Sequence, residues 1–185
     1  MKEKFALFLS LILFTAGPVF AQMPAMDQQL PPLVIHDKGE ILLSDGEYSY
    51  QSWNSGEGKN LVHVLQYFPA TMGAKKRFEP FTDRLVTDLP EGQFTVTTVL
   101  NLDRAMWGTS GLVTSEVKAS KKEFPDASLV LDAQGTGEST WELGKKGALL
   151  LVMDRAGKVI FLTRESLTTL EMDNTIALML KEIAR

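Results

Sequence analysis

Runs of apolar residues separated by polar turns divide most of this chain into short strands and longer helices. Apolar or alternating stretches of four to eight residues predict strands, whereas apolar residues that recur at steps of three and four predict helices. The predicted order is a β-hairpin, then β-α-β-α, then a short strand, then β-β-α. Helices that join neighbouring strands predict parallel pairing, and the closing strand pair predicts an antiparallel one. The pattern therefore indicates an α/β fold with a central mixed sheet flanked by helices and an N-terminal β-hairpin.

The predicted strands differ in how deeply they should be buried. Residues 61–67 and 148–153 are mostly apolar, as is typical of strands covered on both faces. A Gly turn follows the second of these and predicts an antiparallel partner at residues 158–162. The N-terminal hairpin is predicted to turn at residues 36–40, and a short extra strand at 48–50. The remaining predicted strands are residues 33–35, 41–43, 94–100 and 128–131.

Three segments show helical spacing. Apolar residues from Ala74 to Leu89 form one predicted inner face, which Pro80 is expected to kink. The last helix is predicted to begin at Thr168, which forms a capping-box pattern with Glu171. A middle helix is predicted over residues 110–124. The inner faces of the middle and last helices are predicted to consist of Leu112, Val113, Val117, Phe124, Leu170, Ile176, Leu180 and Ile183.

The first residues resemble an export signal. Lys2 and Lys4 precede an apolar run from Phe5 to Ala16, and small residues lead up to Ala21. This pattern predicts a signal peptide over residues 1–21, cleavage after Ala21 and a periplasmic location; a buried N-terminal helix is the alternative. The apolar run is shorter than the ~20 residues of a membrane span, so no span is expected after cleavage. Residues 22–32 are predicted to be a flexible leader, and residues 33–185 a single domain.

Charge and cysteine content exclude two classes of function. The formal net charge is -4, and the chain contains no cysteine. A mildly acidic domain is a poor partner for a phosphate backbone, whose binding relies on clustered Lys and Arg, so nucleic acid is not an expected ligand. Without a thiolate, neither disulfide exchange nor thiol peroxidase chemistry is available.

The order of elements from residue 33 to 185 resembles the thioredoxin fold. More narrowly, several short motifs resemble the YtfJ family of bacterial periplasmic proteins. This resemblance implies a thioredoxin-like fold and an exported protein, and it implies no particular chemistry. The motifs are Tyr48-Ser49-Tyr50 with Trp53-Asn54-Ser55, Thr97-Thr98 with Asn101 and Asp103, Ser120-Lys121-Lys122, Asp132, Trp141, and the turn from Val152-Met153-Asp154 to Gly157.

The resemblance also places a candidate binding face. In thioredoxin-like proteins the reactive cysteines follow the first core strand, a position that Met72 to Lys75 occupy in this chain. Ligands of open α/β sheets collect at the same place. The basic residues there predict either an anion site or a solvated turn. The candidate face consists of Phe68, Pro69, Met72, Lys75, Lys76, Arg77, Asn101, Asp103, Trp107 and Ala148.

Three functional hypotheses follow. The leading one is a non-catalytic module that binds a periplasmic protein, a peptide or a small ligand through the candidate face. One alternative is a non-redox enzyme with polar groups at Asp103, Arg104 and Lys75, and the other is a structural subunit of an envelope assembly. No cofactor or metal is predicted, because His36 and His63 lie in different elements without the spacing of metal ligands.

Overall fold

One mixed sheet organises the protein. The structure is a computed structural model that describes residues 21–57, 60–71, 73–105, 108–144 and 147–185. Within these residues seven strands lie in the order β2-β1-β5-β4-β3-β6-β7. The strands are β1 (Val34–Ser44), β2 (Glu47–Asn54), β3 (Val62–Pro69), β4 (Phe94–Asn101), β5 (Ser128–Asp132), β6 (Leu149–Met153) and β7 (Val159–Thr163). The helices are α1 (Glu79–Asp88), α2 (Ser110–Glu123), α3 (Thr136–Thr140) and α4 (Thr169–Ile183).

The centre of the sheet confirms the predicted α/β order. β3, β4 and β5 are parallel, with α1 and α2 as the crossovers between them, and β6 runs antiparallel to β3. Because parallel strands end at the same side, Pro69 pairs with Asn101, and Asn101 pairs with Asp132. Three strand ends therefore lie next to one another at one edge of the sheet.

The two faces of the sheet bury different partners. Even-numbered positions of β3 pack against α1 and α4, and the buried α1 face is the predicted one. Odd-numbered positions of β3, including Leu65 and Tyr67, pack with Trp53 and Trp141 on the other face. The apolar residues that fill the first face from the α1 segment and α4 are Ala74, Phe78, Phe81, Leu85, Leu89, Ile176 and Met179.

The N-terminal hairpin turns at a different place from the one predicted. β1 continues through the predicted turn, and the chain reverses at Asp45-Gly46, where both residues have positive φ (52° and 83°). Asp-Gly favours this type of two-residue turn. Gly39 (φ 69°) instead forms a β-bulge, seen as a register shift between Ile35 and Glu40.

Residues 22–32 pack against the domain, in contrast to the predicted flexible leader. Gln29 forms an isolated bridge with Lys158, and backbone hydrogen bonds join Gln28 and Asp27 to Val159. The indole Nε1 of Trp141 donates to the Pro31 carbonyl at 3.0 Å. The segment is held by these backbone bonds and by Leu30, which packs against the core.

The outer helices begin where predicted, but part of their buried faces differs. The capping box of Thr168 and Glu171 is present at the start of α4. Leu112, Phe124 and Leu170 are more than half exposed, whereas Val117 and Met179 are buried. Helices α2 and α4 therefore bury only a narrow row of side chains against the sheet. Within the described part of the chain, no helix has the length and apolar character needed to cross a membrane.

Candidate functional site

The adjoining ends of β3, β4 and β5 form the predicted site region, here called the carboxyl edge. It also includes the 3₁₀ turn Leu102–Arg104, helix α3 and the Gly147-Ala148 pair that precedes β6. Tyr67 of β3 pairs with Leu149 of β6, so Gly147 and Ala148 lie beside the end of β3. The topology thus brings four separate parts of the sequence to the carboxyl edge.

A buried carboxylate, that of Asp132, holds β3, β5 and α3 together beneath the surface of the carboxyl edge. Asp132, fully buried at the end of β5, accepts hydrogen bonds from the backbone amides of Thr136 and Gly137, each at 2.8 Å. The Tyr67 hydroxyl donates to Asp132 Oδ2 at 2.9 Å and accepts from the Glu138 amide at 3.0 Å. Together these bonds satisfy the free amides of the first turn of α3.

The Tyr67 hydroxyl remains protonated and so remains a hydrogen-bond donor in this network. Burial, followed by the negative charge of Asp132, raises the pKa of the Tyr67 phenol well above its ordinary value. The phenol therefore stays protonated at any physiological pH. Its role is to connect β3, β5 and α3 rather than to transfer a proton.

Close packing fixes the position of α3. A Cβ atom added at Gly137 would collide with Cε2 of the Tyr67 ring, so only glycine permits this approach. On the same ring, Trp141 packs edge-on with ring centroids 6.2 Å apart. α3 is therefore held firmly enough to present Glu138 in one position.

Glu138 and Arg104 form the polar surface of the carboxyl edge. Arg104 Nε donates to Glu138 Oε2 at 2.8 Å, and Arg104 Nη2 donates to Oε1 at 2.5 Å. Asn101 Nδ2 donates to the same carboxylate at 3.0 Å, and Asn101 Oδ1 accepts from the Asp103 amide at 3.0 Å. The side chain of Glu138 is 11% exposed and that of Arg104 is 41% exposed. The pair thus joins the β4–α2 connection to α3 while leaving part of the guanidinium open to solvent.

Both members of this ion pair stay charged near neutral pH. The hydrogen bond from Arg104 lowers the pKa of Glu138, and the bond to Glu138 in turn raises the pKa of Arg104. A carboxyl group with a lowered pKa is a weak general base and, near neutral pH, no general acid. The arrangement is suited to recognition by charge and hydrogen bonding.

Several predicted face residues are not available at the surface. Phe68 and Ala148 are buried at 4% and 1% exposure, because both belong to the core cluster beneath α1 and α4. Pro69 is half-buried and Asp103 is exposed. Met72 and Trp107 lie outside the described residues, as do residues 1–20 of the predicted signal peptide. Phe68 and Ala148 therefore cannot contact a ligand at the surface of the candidate face.

The basic residues form a separate 3₁₀ turn instead of the first turn of a kinked helix. α1 begins only at Glu79, so Pro80 lies in its first turn, where its missing N–H costs nothing. Lys75 pairs with Glu79 at 3.7 Å, and Arg77 donates to the Arg164 carbonyl at 3.0 Å. Lys76 and Arg77 line a small pocket of about 70 Å³ beside the start of α4.

The proposed enzyme residues do not assemble as one group. Arg104 and Asp103 approach to 4.0 Å, but Lys75 is paired elsewhere with Glu79. The structure instead joins Arg104 to Glu138, a residue that the sequence analysis does not single out. The five residues of α3 are too few to show helical periodicity. The sequence also carries no standard cap signal for α3, because its N-cap is Gly135 and Asp132, which holds the first amides, lies three residues before it.

The surroundings of His63, which is 5% exposed, indicate a structural role. Its Nε2 lies 2.9 Å from Thr97 Oγ1 inside the sheet. Burial lowers the pKa of His63 to about 4, so the imidazole is neutral at physiological pH. Within the described residues no three His, Asp or Glu side chains come together as a metal site.

Sequence comparison finds relatives over most of the chain. Residues 25–182 match the sequence profile of the family described as "Bacterial protein of unknown function (YtfJ_HI0045)". The uncharacterized protein YtfJ of Escherichia coli K12 is 29% identical over 155 residues, covering 83% of this chain and 84% of that protein. An uncharacterized protein of Haemophilus influenzae is 27% identical over 179 residues, covering 96% of this chain and 97% of that protein.

Comparison with solved structures shows the thioredoxin-like fold. A thiol-disulfide isomerase from Corynebacterium glutamicum superposes with a TM-score of 0.55 at 14% identity, over 80% of this chain and 95% of that one. The thioredoxin domain of a thiol-disulfide oxidoreductase from Bacteroides vulgatus gives a TM-score of 0.53 at 14% identity, over 83% and 96%. At this level of identity the likeness concerns the fold alone, and the chain has no cysteine with which to share their chemistry.

Proposed function

Because this chain belongs to the YtfJ_HI0045 family of bacterial proteins of unknown function, we propose its role from the geometry of its own carboxyl edge. The protein is a non-redox binding module with a thioredoxin-like fold, and its partner is a protein or peptide that docks at the carboxyl edge. The export pattern of residues 1–21 supports a periplasmic setting for this interaction.

The observation that carries this proposal is the two-bond ion pair between Arg104 and Glu138. A guanidinium has five N–H groups, and the pair with Glu138 uses two of them. The Arg104 side chain is 41% exposed, so its remaining donors reach solvent. The pair with Glu138 holds the guanidinium in one orientation, so these donors point in fixed directions. A preorganised guanidinium binds carboxylate or backbone carbonyl groups with little entropic cost, as a docking site requires.

Binding has more support than catalysis at the carboxyl edge. The pKa of Glu138 is lowered and that of Tyr67 is raised, so neither group exchanges a proton near neutral pH. Lys75, the third residue of the enzyme hypothesis, pairs with Glu79. A non-redox enzyme and a structural subunit of an envelope assembly therefore remain weaker alternatives.

Site-specific photo-crosslinking in cells that express the full chain tests the proposal. A photoreactive residue at Asp103, 54% exposed on the carboxyl edge, should give a discrete crosslinked complex. The same residue at Val86, 81% exposed on α1, is the positional control and should not.

Two arginine variants then connect that complex to the ion pair. Arg104→Ala should weaken binding, and with it crosslinking at Asp103, at least about tenfold, since a charged hydrogen bond contributes about 1.5–3 kcal/mol. Arg84→Ala is the matched control. Arg84 also pairs with carboxylates, those of Asp88 and Asp173, but these residues belong to α1 and α4 and not to the carboxyl edge. Equal crosslinking at Asp103 and Val86, or no effect of Arg104→Ala, would reject the carboxyl edge as the docking site.

A further inference from the structure

The two outermost strands of the sheet, β7 and β2, differ in how far the chain covers them. The outer side of β7 is partly covered, because Val159 accepts a backbone hydrogen bond from Asp27 and donates one to Gln28. Among the described residues, β2 pairs only with β1. The other side of β2, here called the β2 edge, is therefore open along the eight residues Glu47–Asn54.

The hairpin geometry shows which backbone groups the β2 edge offers. Ser44 and Glu47 pair across the two-residue turn, and such a pair exchanges both of its hydrogen bonds. Because the bonding direction alternates along an antiparallel strand, the N–H and C=O groups of Tyr48 and Tyr50 point away from β1. None of the described backbone hydrogen bonds outside the strand pairs uses these groups. They are therefore placed to pair with an added strand.

β2 lacks the features that prevent many edge strands from pairing. Lysine, proline and β-bulges are common protections of an exposed edge. β2 contains neither lysine nor proline, and its pairing with β1 is regular from Glu47 to Gln51. The bulge at Gly39 lies in β1 and not in β2 itself. The β2 edge thus remains suited to pairing.

The side chains on one face of the hairpin favour a basic partner. Gln51 Nε2 donates to Glu40 Oε2 at 3.2 Å, so these two side chains lie on the same face. Glu47 lies on that face too, because alternate positions of a strand share a face. None of the ion pairs between described residues includes Glu40 or Glu47. Two carboxylates without a cationic partner therefore lie on the same face beside the β2 edge.

The opposite face of the hairpin is aromatic. The Tyr48 hydroxyl donates to the Lys118 carbonyl at 2.9 Å, so this is the face that α2 covers. Tyr50, on the same face, is 39% exposed, and Lys38 Nζ lies 5.9 Å from the centre of its ring. Aromatic and β-branched side chains on neighbouring strands stabilise each other. This face therefore favours an apolar side chain beside Tyr50.

We infer that the β2 edge binds an extended segment of another polypeptide as an added β-strand. Its backbone pairs with Tyr48 and Tyr50, its lysine or arginine side chains lie toward Glu40 and Glu47, and its apolar side chains lie beside Tyr50. A second copy fits poorly, because β2 has no lysine or arginine and an antiparallel pair would set both Glu47 side chains on one face. The inference is independent of docking at the carboxyl edge, which the ends of three other strands form.

Titration of the purified, isotopically labelled protein with a capped synthetic peptide in which lysine alternates with valine tests this inference. Hydrogen exchange at the amides of Tyr48 and Tyr50 should slow at least about tenfold in the complex, because these amides enter hydrogen bonds. The amides of Ser49 and Gln51, which face β1, should change little. A control peptide with glutamate in place of lysine should bind at least about fivefold more weakly.

Three results would overturn the inference. Absence of binding, or unchanged exchange of Tyr48 and Tyr50 at saturating lysine peptide, would exclude an added strand. Equal affinity for the glutamate peptide would exclude a basic partner. Protection of the same two amides in the free protein that grows with protein concentration would assign the β2 edge to a second copy instead.

Variants separate backbone pairing from charge. Tyr50→Pro removes one outward N–H at an edge position, where proline is tolerated, and should weaken lysine-peptide binding about tenfold relative to Tyr50→Ala, which keeps that N–H. Glu47→Gln should weaken it about twofold to fivefold, as expected for an exposed ion pair. Glu91→Gln, an exposed glutamate between α1 and β4, is the matched control and should bind like the wild type. Wild-type affinity in both Tyr50→Pro and Glu47→Gln would contradict the assignment.

Discussion

At the scale of single residues, the interior of this protein keeps a few polar groups, and nearly all of those described have a hydrogen-bond partner, Thr95 Oγ1 being the exception. Asn101 and Asp132 are fully buried, and both hold backbone amides in addition to a side chain. A buried polar group left without a partner costs about 1–3 kcal/mol, so these residues fix local geometry strongly. Their hydrogen bonds hold the side chains and the backbone of the carboxyl edge in one arrangement.

The buried histidine makes folding stability depend on pH. The pKa of His63 is about 4 in the folded protein and 6.5 when unfolded, so the unfolded chain binds more protons between these values. Stability from a neutral His63 is complete above pH 6.5 and is lost as pH falls toward 4. The free energy of unfolding should therefore fall by about 2 kcal/mol from pH 7 to pH 5 through this residue.

Urea unfolding at both pH values measures this loss in the wild type and in His63→Gln. The variant should lack the pH-dependent loss, whereas His36→Gln should retain it, because His36 lies on the exposed side of β1. A wild-type pH dependence in His63→Gln would contradict the assignment.

At the scale of elements, the strands could be predicted from sequence because their burial shows in the order of residues. β6 is apolar throughout, β3 is apolar except for His63 and Gln66, and the capping box fixes the start of α4. α3 could not be predicted, since five residues are held by tertiary contacts to Tyr67 rather than by local periodicity. The same limit applies to the site: Asn101 and Asp103 could be predicted at a strand end, but the pairing of Arg104 with Glu138 spans 34 residues.

Two glycines of the N-terminal hairpin, Gly39 and Gly46, have similar φ angles but different structural roles. Gly39 and Gly46 both have positive φ, but a Cβ atom at Gly39 would collide with the Gln51 carbonyl, whereas one at Gly46 would meet no atom within 4 Å. Gly46→Ala should cost about 1–2 kcal/mol from backbone strain alone. Gly39→Ala should cost at least about 1 kcal/mol more, because β1 and β2 must separate.

Chemical denaturation of both variants distinguishes the two costs. Equal losses of stability for Gly39→Ala and Gly46→Ala would show that the bulge is not closely packed against β2.

At the scale of the whole molecule, the sheet separates two regions of different character. The carboxyl edge carries the Arg104–Glu138 pair, and the opposite end carries a pocket of about 280 Å³ that residues 29–32 help to line. The predicted flexible leader is thus part of the folded unit. Its composition of Met, Gln and Pro does not reveal this, because backbone groups make most of its contacts.

Hydrogen exchange measures whether this segment is docked in solution. The amides of Asp27 and Leu30 donate to Val159 and Gly157, so they should exchange at least about 100-fold more slowly than in an unstructured peptide. The amide of Val159, which donates to Gln28, should be protected to a similar extent. Exchange of Asp27 and Leu30 at peptide rates, with Val159 still protected, would show a loose leader.

The bond between Trp141 and Pro31 also sets an order in time. Its two partners are 110 residues apart, and the bridge between Gln29 and Lys158 spans a still longer stretch. A ribosome produces residues 22–32 early, but the surface that receives them does not exist until β6 and β7 have been made. The segment is therefore synthesised long before the strands that receive it, and it cannot dock until both of them are present.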